Sequence, residues 1–343
     1  MTQLKVAVIG CGSIAQNRHL LEYEANENVD ITAVCDIVEE RAMVTAEAFG
    51  AHSYTDYEEL LNKEEVDLVS VCLPNYLHAP VSIAALNAGA HVLCEKPMAT
   101  SRQESNEMIE AAERNGRKLM IAHNQRFVPS HQKAKQIIEA GEIGKVYSFR
   151  TTFGHGGPEG WSADGMNSWF FKEDEAFIGA MGDLGVHKAD LLRHILGEEF
   201  TDVAGFVENN AKRDITVDDN AVCILRTGSG IVGTLTASWA YNAGEDNSTV
   251  IYGEKGILRL EDDPTYSLVA QYSNGDTVKY ELGQIQSNDS GGQTSTGVID
   301  HFVESVLEDK QPLIDGEEGK RSLEVIIAAL ESSESGKITK VEK

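Results

Sequence analysis

Residues 6–20 read VAVIGCGSIAQNRHL, a short apolar strand pattern that ends in glycines and passes directly into a helical pattern. Gly10, Gly12 and Ala15 have the G-x-G-x-x-A spacing. In this motif the first glycine permits a tight turn, the second lets the backbone approach a pyrophosphate, and the small third residue lets the helix pack closely on the sheet. The free N–H groups at the start of the helix then face the anion. The stretch predicts a phosphate-binding loop.

An acidic residue follows at the distance that dinucleotide binding requires. Asp36 ends the next strand pattern, 24 residues after Gly12. A carboxylate there can accept hydrogen bonds from the adenosine ribose and repels a 2′-phosphate, whereas the alternative is that Asp36 only caps the following helix. Arg41 lies nearby, but its helical spacing predicts a solvated face. We therefore predict that the chain binds NAD in preference to NADP, with Ser13 and Ile14 in the loop also contacting the cofactor.

Strand and helix patterns alternate up to residue 123 and then give way to a strand-rich region. The early strand-like runs lie at 5–9, 30–35, 66–73, 91–94 and 118–123. Such alternation predicts a doubly wound parallel sheet covered by helices on both faces, so the fold class is α/β.

The remainder of the chain predicts a second domain. After a helix at 129–140, short strands separated by Gly-containing turns run from residue 145 and predict a large, mostly antiparallel sheet. Helical patterns interrupt it near 186–196 and end the chain near 298–308 and 319–332, while QSNDSGGQTSTG (286–297) predicts a mobile loop. We expect a dinucleotide-binding domain at 1–123 and an α+β domain at 124–343, whose last helices can pack back on the first.

Composition excludes several classes of partner. The chain has 343 residues, with 29 Lys and Arg against 55 Asp and Glu, and its net charge of −26 repels a nucleic-acid backbone. No run approaches the roughly 20 apolar residues that span a bilayer, and the N-terminal sequence lacks a signal-peptide pattern. The five cysteines form no C-x-x-C pair, which is typical of reduced, buried thiols. We expect a cytoplasmic protein.

Two segments carry candidate catalytic groups. Lys96 follows a strand, at the edge where open α/β sheets bind ligands, although an exposed loop lysine is the alternative. Asp183 and His187 are four residues apart and would share a helix face. They could be an acid–base pair, part of a metal site, or a helix-terminal aspartate with a structural histidine, and spacing alone slightly favours the last. No H-E-x-x-H pattern supplies a third ligand, so we expect no metal.

Taken in order, these motifs resemble the Gfo/Idh/MocA oxidoreductases, the family of glucose–fructose oxidoreductase and inositol dehydrogenase. The matching stretches are VAVIGCGSIA (6–15), Asp36, LPNYLHAP (73–80), CEKPMA (94–99), AHNQRF (122–127), GAMGDLGVHKADLLRHILG (179–197) and YGEKGILRLE (252–261). The resemblance covers nearly the whole chain. It implies a Rossmann domain followed by an α+β domain whose open sheet face often packs against another subunit, hence a homodimer or homotetramer.

The resemblance also implies roles for individual residues. Lys96 would contact substrate and the nicotinamide ribose, and Asp183 and His187 would lie near the reacting hydroxyl. The cofactor site would be completed by residues of the matched stretches: Leu73, Asn75, His78, Glu95 and Asn124. Arg126 lies at the domain junction and would touch cofactor or substrate.

Aromatic residues suggest the substrate. Trp161 and Trp169, with the two phenylalanines after it, suit the C–H faces of a sugar or, alternatively, ordinary core packing. His155 opens a polar segment (155–167) and could bind substrate or face solvent. The resemblance implies hydride transfer between NAD and a secondary alcohol or ketone carbon of a sugar or cyclitol. Two alternatives remain open: an NAD-using, redox-neutral glycosidase and an NAD-responsive sugar-binding regulator.

Overall fold

Two β-sheets, each with its own hydrophobic core, organise the chain in the computed structural model. It describes residues 3–283 and 295–342, and most of the loop predicted at 286–297 lies outside them. No helix in the described ranges is long and apolar enough to cross a membrane. All five cysteines lie in these ranges and have free thiols.

The first sheet has six parallel strands in the described residues, in the order β3-β2-β1-β4-β5-β6. They are β1 (Leu4–Ile9), β2 (Val29–Cys35), β3 (His52–Tyr54), β4 (Leu68–Val71), β5 (His91–Cys94) and β6 (Leu119–Ile121). The strand order reverses between β1 and β4, and the crevice at such a point binds ligands in open α/β sheets. The prediction of a doubly wound parallel sheet is confirmed, with β3 as an additional strand of three residues.

The helices of this layer begin and end at residues that suit caps. They are α1 (Leu20–Ala25), α2 (Glu39–Phe49), α3 (Tyr57–Lys63), α4 (His78–Asn87) and α5 (Arg102–Asn115). The Asp56 carboxylate accepts from the backbone N–H groups of Glu58 and Glu59 and so caps α3. Gly50 ends α2 at φ 68°, a left-handed conformation that favours glycine.

The second sheet has nine strands in the described residues, in the order β14-β13-β12-β11-β7-β10-β9-β8-β15. They are β7 (Val146–Gly154), β8 (Phe200–Glu208), β9 (Asn220–Thr227), β10 (Val232–Ser238), β11 (Thr249–Gly253), β12 (Gly256–Leu260), β13 (Leu268–Tyr272), β14 (Thr277–Tyr280) and β15 (Thr339–Lys340). It is mostly antiparallel, as predicted. It is not a simple meander, because β7 lies at its centre and pairs in parallel with β10.

Helices cover one face of the second sheet and leave the other open. The covering helices include α6 (Pro129–Glu139), α7 (Glu173–Ala176) and α8 (Val186–Leu196). On the opposite face, neighbouring strands β8, β9 and β10 present apolar side chains to solvent. Phe206 is 70% exposed and Ile224 is 52% exposed, with Val222 and Val232 beside them.

The last two helices join the two cores. Phe302 and Val303 of α9 (Val298–Leu307) are buried in the core of the first sheet. The long helix α10 (Gly316–Ser335) places Leu323 in that core and Ile326 in the core of the second sheet. Both C-terminal helices therefore pack on the first layer, and α10 also supports the second.

Candidate active site

A cavity of about 1080 Å³ lies between the carboxyl ends of the first sheet's strands and segments of the second layer. It brings together residues that are far apart in the sequence. All but one of the predicted site residues line it: Gly10, Gly12, Ser13, Ile14, Asp36, Leu73, Asn75, His78, Glu95, Lys96, Asn124, His155, Trp161, Trp169, Asp183 and His187.

The glycines of the loop after β1 differ in what surrounds them. Gly10 has φ 93°, and a Cβ there would lie 2.2 Å from the Cys72 carbonyl oxygen, so a side chain would force the chains apart. A Cβ on Gly12 would meet no protein atom within 4 Å. Gly10 thus makes the close approach between β1 and β4 possible, whereas Gly12 leaves a bare stretch of backbone beside the cavity.

Asp36 ties the end of β2 to this loop. One carboxylate oxygen accepts from the Cys11 N–H at 2.9 Å and the other from the Val38 N–H at 2.9 Å. The side chain is buried and still lines the cavity. The next residue, Ile37, is 89% exposed at the cavity edge, which is unusual for an isoleucine and leaves an apolar surface for a ligand to cover.

Arg41 is not on a solvated face, contrary to the expectation from helical spacing. Its guanidinium lies 3.5 Å from Asp36 and donates to Asp164 at 2.8 Å, and it lines the cavity. The reason is tertiary, because Asp164 belongs to the second layer and comes across the cleft to meet it.

Lys96 and Asp183 form an ion pair inside the cavity. The Lys96 ammonium donates to Asp183 Oδ1 at 2.8 Å and to the Asp183 carbonyl oxygen at 3.1 Å. Trp239 Nε1 donates to the other carboxylate oxygen at 3.2 Å. Both members of the pair are largely buried, and a buried charged pair is tolerated when its remaining hydrogen-bonding capacity is satisfied in this way.

The structure does not contain the Asp183–His187 contact that the i, i+4 spacing suggested. Asp183 lies in the π-helical turn Met181–Gly185 and His187 in the first turn of α8, and no hydrogen bond joins their side chains. The carboxylate bonds to Lys96 and Trp239 instead.

His187 is a buried imidazole in the first turn of α8. Its Nδ1 has no hydrogen-bond partner among the described residues, and the rings of Phe153 and His123 lie 5.9 and 6.4 Å away. Burial, and next the charge of Lys96, hold the pKa of His187 well below its usual value. The ring is therefore neutral at neutral pH and has a nitrogen lone pair available to accept a proton.

Asn75 and Asn124 are two of three amides of the cavity wall, with Gln125, whose carbonyl oxygens are buried and unpartnered among the described residues. Asn75 donates its Nδ2 to the Ala176 carbonyl oxygen at 2.8 Å, which leaves Oδ1 free. Asn124 Oδ1 also lacks a partner. Buried acceptors usually find donors, so both oxygens are suited to a ligand that carries N–H or O–H groups.

His78 and Glu95 also line the cavity but are engaged with protein groups. The His78 ring nitrogens lie 2.7 Å from the Pro97 carbonyl oxygen and 2.9 Å from that of Leu73. Glu95 interacts with His19 at 3.0 Å. Burial opposes ionisation of Glu95, but this hydrogen bond and the nearby positive charges lower its pKa to about 2. Through these contacts, His78 and Glu95 hold in place the loops to which their sequence neighbours belong.

An aromatic wall, formed by Trp161, Trp169 and Phe170, borders the cavity. The rings of Trp169 and Phe170 are stacked at 3.9 Å, and Trp161 meets Phe170 edge-on at 5.2 Å. Phe170 in turn contacts Trp239, the partner of Asp183. The wall thus begins beside the Lys96 ion pair.

Residues 155–167, which we call the covering loop, cross the cavity from the end of β7. His155 begins it, and its Nδ1 accepts a hydrogen bond from the Gly157 N–H at 2.9 Å. Further along, the Trp161 carbonyl oxygen accepts from Ser13 Oγ at 2.8 Å, so the loop touches the phosphate-loop region directly.

Arg126 is the one predicted site residue that does not line the cavity. Its guanidinium makes two hydrogen bonds with Asp190, at 2.7 and 2.8 Å, and a third with Glu318 at 2.7 Å. Asp190 is fully buried, so its negative charge needs a positively charged partner inside the protein. Arg126 therefore joins α8 to α10 rather than reaching a ligand.

Three residues of this region were not predicted from the sequence. Arg18 and His19 lie just past the phosphate loop and line the cavity, and Trp239 bonds to Asp183. For His19, a position on the helix next to the motif was an available signal. For Trp239 no local pattern exists, because its partner lies 56 residues away.

The residues present suit a dinucleotide better than a metal ion. The bare Gly12 backbone, the exposed Ile37 and the unpartnered amide oxygens provide complementary surfaces for phosphate, base and polar substituents. Among the described residues, no group of three or more His, Cys, Asp or Glu side chains is arranged to hold a metal ion.

Comparisons with known sequences agree along the chain. Residues 4–123 match an oxidoreductase family with an NAD-binding Rossmann fold, and residues 131–259 match the GFO/IDH/MocA C-terminal domain. The chain is 30% identical to levoglucosan dehydrogenase of Pseudarthrobacter phenanthrenivorans over 86% of this chain and 80% of that protein. It is 27% identical to myo-inositol 2-dehydrogenase of Thermotoga maritima over 99% of both.

Solved structures show the same two-layer architecture. Levoglucosan dehydrogenase in complex with NADH and levoglucosan superposes with a TM-score of 0.87 at 26% identity, covering 99% of this chain and 100% of that one. The aldose–aldose oxidoreductase of Caulobacter crescentus, complexed with glycerol, gives 0.83 at 25% identity over 98% and 99% of the two chains. With both domains matched in order, the chain belongs to the Gfo/Idh/MocA family of oxidoreductases, and its first domain is an NAD-binding Rossmann domain.

Proposed function

We propose that this protein is an NAD-dependent dehydrogenase that oxidises a secondary alcohol of a sugar or cyclitol, or reduces the corresponding ketone. The observation that carries the proposal is the convergence of a paired ammonium, Lys96, and a neutral imidazole, His187, in the cavity that begins at the dinucleotide loop. Relatives named for levoglucosan and myo-inositol support a polyhydroxylated ring as the substrate.

The cofactor would lie along the carboxyl edge of the first sheet. The backbone at Gly12 would receive the pyrophosphate, Asp36 the adenosine ribose, and Ile37 the face of the adenine. The unpartnered oxygens of Asn75 and Asn124 would accept hydrogen bonds at the nicotinamide end. When bound, NAD supplies the hydride acceptor. A carboxylate at Asp36 favours NAD over NADP because it repels a 2′-phosphate.

His187 would act as the general base. Oxidation of an alcohol removes a proton from oxygen and a hydride from carbon, so the protein must supply a proton acceptor. The imidazole is neutral and lines the same cavity as Lys96. Lys96 Nζ donates to Asp183 and lines the cavity, which suits Lys96 to the role of donor to the reacting oxygen.

Asp183 would position Lys96 rather than His187. Its two carboxylate oxygens are held by Lys96 and Trp239, so the ammonium is oriented before substrate arrives. The aromatic wall beside this pair would receive the C–H face of the ring, and His155 at the start of the covering loop would contact substrate hydroxyls.

The test is a panel of polyols, aldoses and glycosides incubated with NAD and the purified protein. A dehydrogenase produces NADH in step with a ketone product, and the His187→Ala variant gives neither. Release of a glycoside's leaving group without net NADH would instead identify a redox-neutral glycosidase. Tight sugar and NAD binding without turnover of any compound would identify a regulator. Either result would overturn the proposal.

We further propose a homodimer or homotetramer formed through the open face of the second sheet, in the cytoplasm. Exposed Phe206, Val222, Ile224 and Val232 form a contiguous apolar surface on adjacent strands, and such surfaces usually mark an interface. The free thiols are consistent with a reducing compartment. Light scattering of the purified protein and fractionation of the cells that make it test these two points.

A further inference from the structure

Asp164 of the covering loop meets the first domain beside the residue proposed to bind the adenosine ribose. Its carboxylate accepts from Arg41 Nη2 at 2.8 Å, while Arg41 Nη1 lies 3.5 Å from Asp36. The loop has a second contact with the first domain, between Ser13 and the Trp161 carbonyl oxygen. Two separate contacts therefore seat this loop across the cofactor cleft.

Arg41 is the cation best placed to attract a 2′-phosphate. It lines the cavity next to Asp36, and arginine forms strong, paired hydrogen bonds with phosphate oxygens. Lys172 also lines the cavity, but its ammonium is paired with Glu175 at 2.6 Å. An arginine at this place would normally favour NADP. Whether carboxylates already occupy the Arg41 guanidinium therefore affects the choice between NAD and NADP.

Asp164 is the closer of the two carboxylates around Arg41. Asp36 uses its oxygens mainly for the N–H groups of Cys11 and Val38, at 2.9 Å each, and approaches the guanidinium only at 3.5 Å. Asp164 therefore accepts the shorter of the two hydrogen bonds from the Arg41 guanidinium. With both carboxylates present, the local net charge is −1, which opposes a phosphate group.

We propose that Asp164 is a cofactor-specificity residue: by holding the Arg41 guanidinium from the opposite domain, it prevents Arg41 from binding a 2′-phosphate. The proposal rests on the proposed placement of the adenosine ribose at Asp36. Asp164 thus adds to the repulsion by Asp36, and it does so only while the covering loop is seated on the first domain.

The test compares binding of NAD and NADP to the full-length protein by isothermal titration calorimetry, with NADP measured by displacement of NAD if its binding is weak. The variants are Asp164→Asn, Arg41→Ala and the double variant. Asp174→Asn is the matched control, because it removes the same charge from an exposed position that does not line the cavity. Asp164 is 47% exposed, so its loss should leave the fold intact, which circular dichroism checks.

We expect Asp164→Asn to tighten NADP binding by about fivefold to tenfold and to change NAD binding by less than about twofold. In the Arg41→Ala background most of this tightening of NADP binding should disappear, because only the direct repulsion by Asp164 is then removed, and Asp174→Asn should have no effect in either background. Unchanged NADP binding in Asp164→Asn, equal tightening of NAD, or persistence of the full effect without Arg41 would each overturn the proposal. Tighter binding of NADP than NAD by the unmodified protein would instead contradict the proposed cofactor preference. In that case the ratio of the NADP dissociation constants of the Asp164→Asn variant and the unmodified protein would still decide the role of Asp164.

Discussion

Replacing Lys96 with methionine removes the ammonium that bonds to Asp183 and that we assign to the reacting oxygen. Methionine has a similar length and no charge, so the cavity should keep its shape. Loss of one preorganised donor to a developing oxyanion lowers kcat by about 10²–10³-fold. NAD affinity should fall much less than kcat, because Lys96 would contact only the nicotinamide ribose, and the phosphate loop and Asp36 are untouched.

The same variant should change the pH profile in a defined direction. The Lys96 charge is, after burial, the largest cause that lowers the pKa of His187. A base must be neutral to act, so oxidation is lost as the pH falls through that pKa. Removing the positive charge raises the pKa of His187, and the acidic limb of kcat/KM should therefore move to higher pH.

The assay is steady-state NADH formation across pH 4.5–9 on a substrate from the panel (about one measurement per half unit), with NAD affinity measured separately. Lys172→Met is the matched control, because it removes a lysine from the same cavity without touching Asp183. Lys96→Arg retains the positive charge and separates loss of the charge from loss of stability. A folded Lys96→Met variant with near-normal kcat, or an acidic limb that moves to lower pH, would refute the reasoning.

Four further predictions concern other parts of the protein. His187→Ala should lower kcat by about a hundredfold or more with little change in NAD affinity, and a near-normal kcat on a true substrate would remove the base from the mechanism. Asp36→Ala should weaken NAD and relax the rejection of NADP in calorimetric titrations, whereas a parent protein that prefers NADP would contradict the argument. Ile224→Glu, on the exposed sheet face, should dissociate the oligomer in light scattering, and a parent protein that is monomeric at micromolar concentration would rule out that interface. Acidification should destabilise the fold, because burial lowers the pKa of His123 to about 4 in the folded protein. Above the unfolded-state pKa near 6.5, His123 contributes on the order of 3 kcal/mol to the free energy of unfolding relative to acid conditions, and this contribution is lost as the pH falls towards 4. Urea unfolding at a series of pH values measures this loss, and a free energy of unfolding that stays constant over that range would contradict it.

Local sequence patterns predicted the parts of the fold that depend on neighbours in the chain. The strand, glycine loop and helix at 6–20 have the predicted order, and Asp36 ends β2 beside them. Helix α8 occupies the predicted span, Val186–Leu196, since apolar periodicity and the glycine after it mark both ends. The loop and the helix ends are set by residues close in sequence, and Asp36 meets the loop because β1 and β2 are paired.

The features that the sequence could not predict depend on distant contacts. Asp183 meets Lys96, 87 residues away, and Arg41 meets Asp164, 123 residues away, so no spacing rule applies to either pair. Strand β8 has a weak local pattern, because Gly205 and Asp202 interrupt its apolar residues, and it forms through pairing with β9 and β15. The charge of Arg126 suggested a ligand, whereas buried Asp190 is its partner.

Isotopic labelling of the substrate shows directly where the transferred hydrogen goes. A substrate identified in the panel, carrying deuterium on the carbon of the reacting hydroxyl, is incubated with NAD and the protein, and the nicotinamide product is analysed by mass spectrometry. Our account predicts one deuterium in each NADH formed, because the carbon–hydrogen bond breaks and its electron pair moves with the hydrogen to the nicotinamide while the hydroxyl proton passes to His187. NADH without deuterium, or conversion of the sugar without reduced nicotinamide, would contradict it.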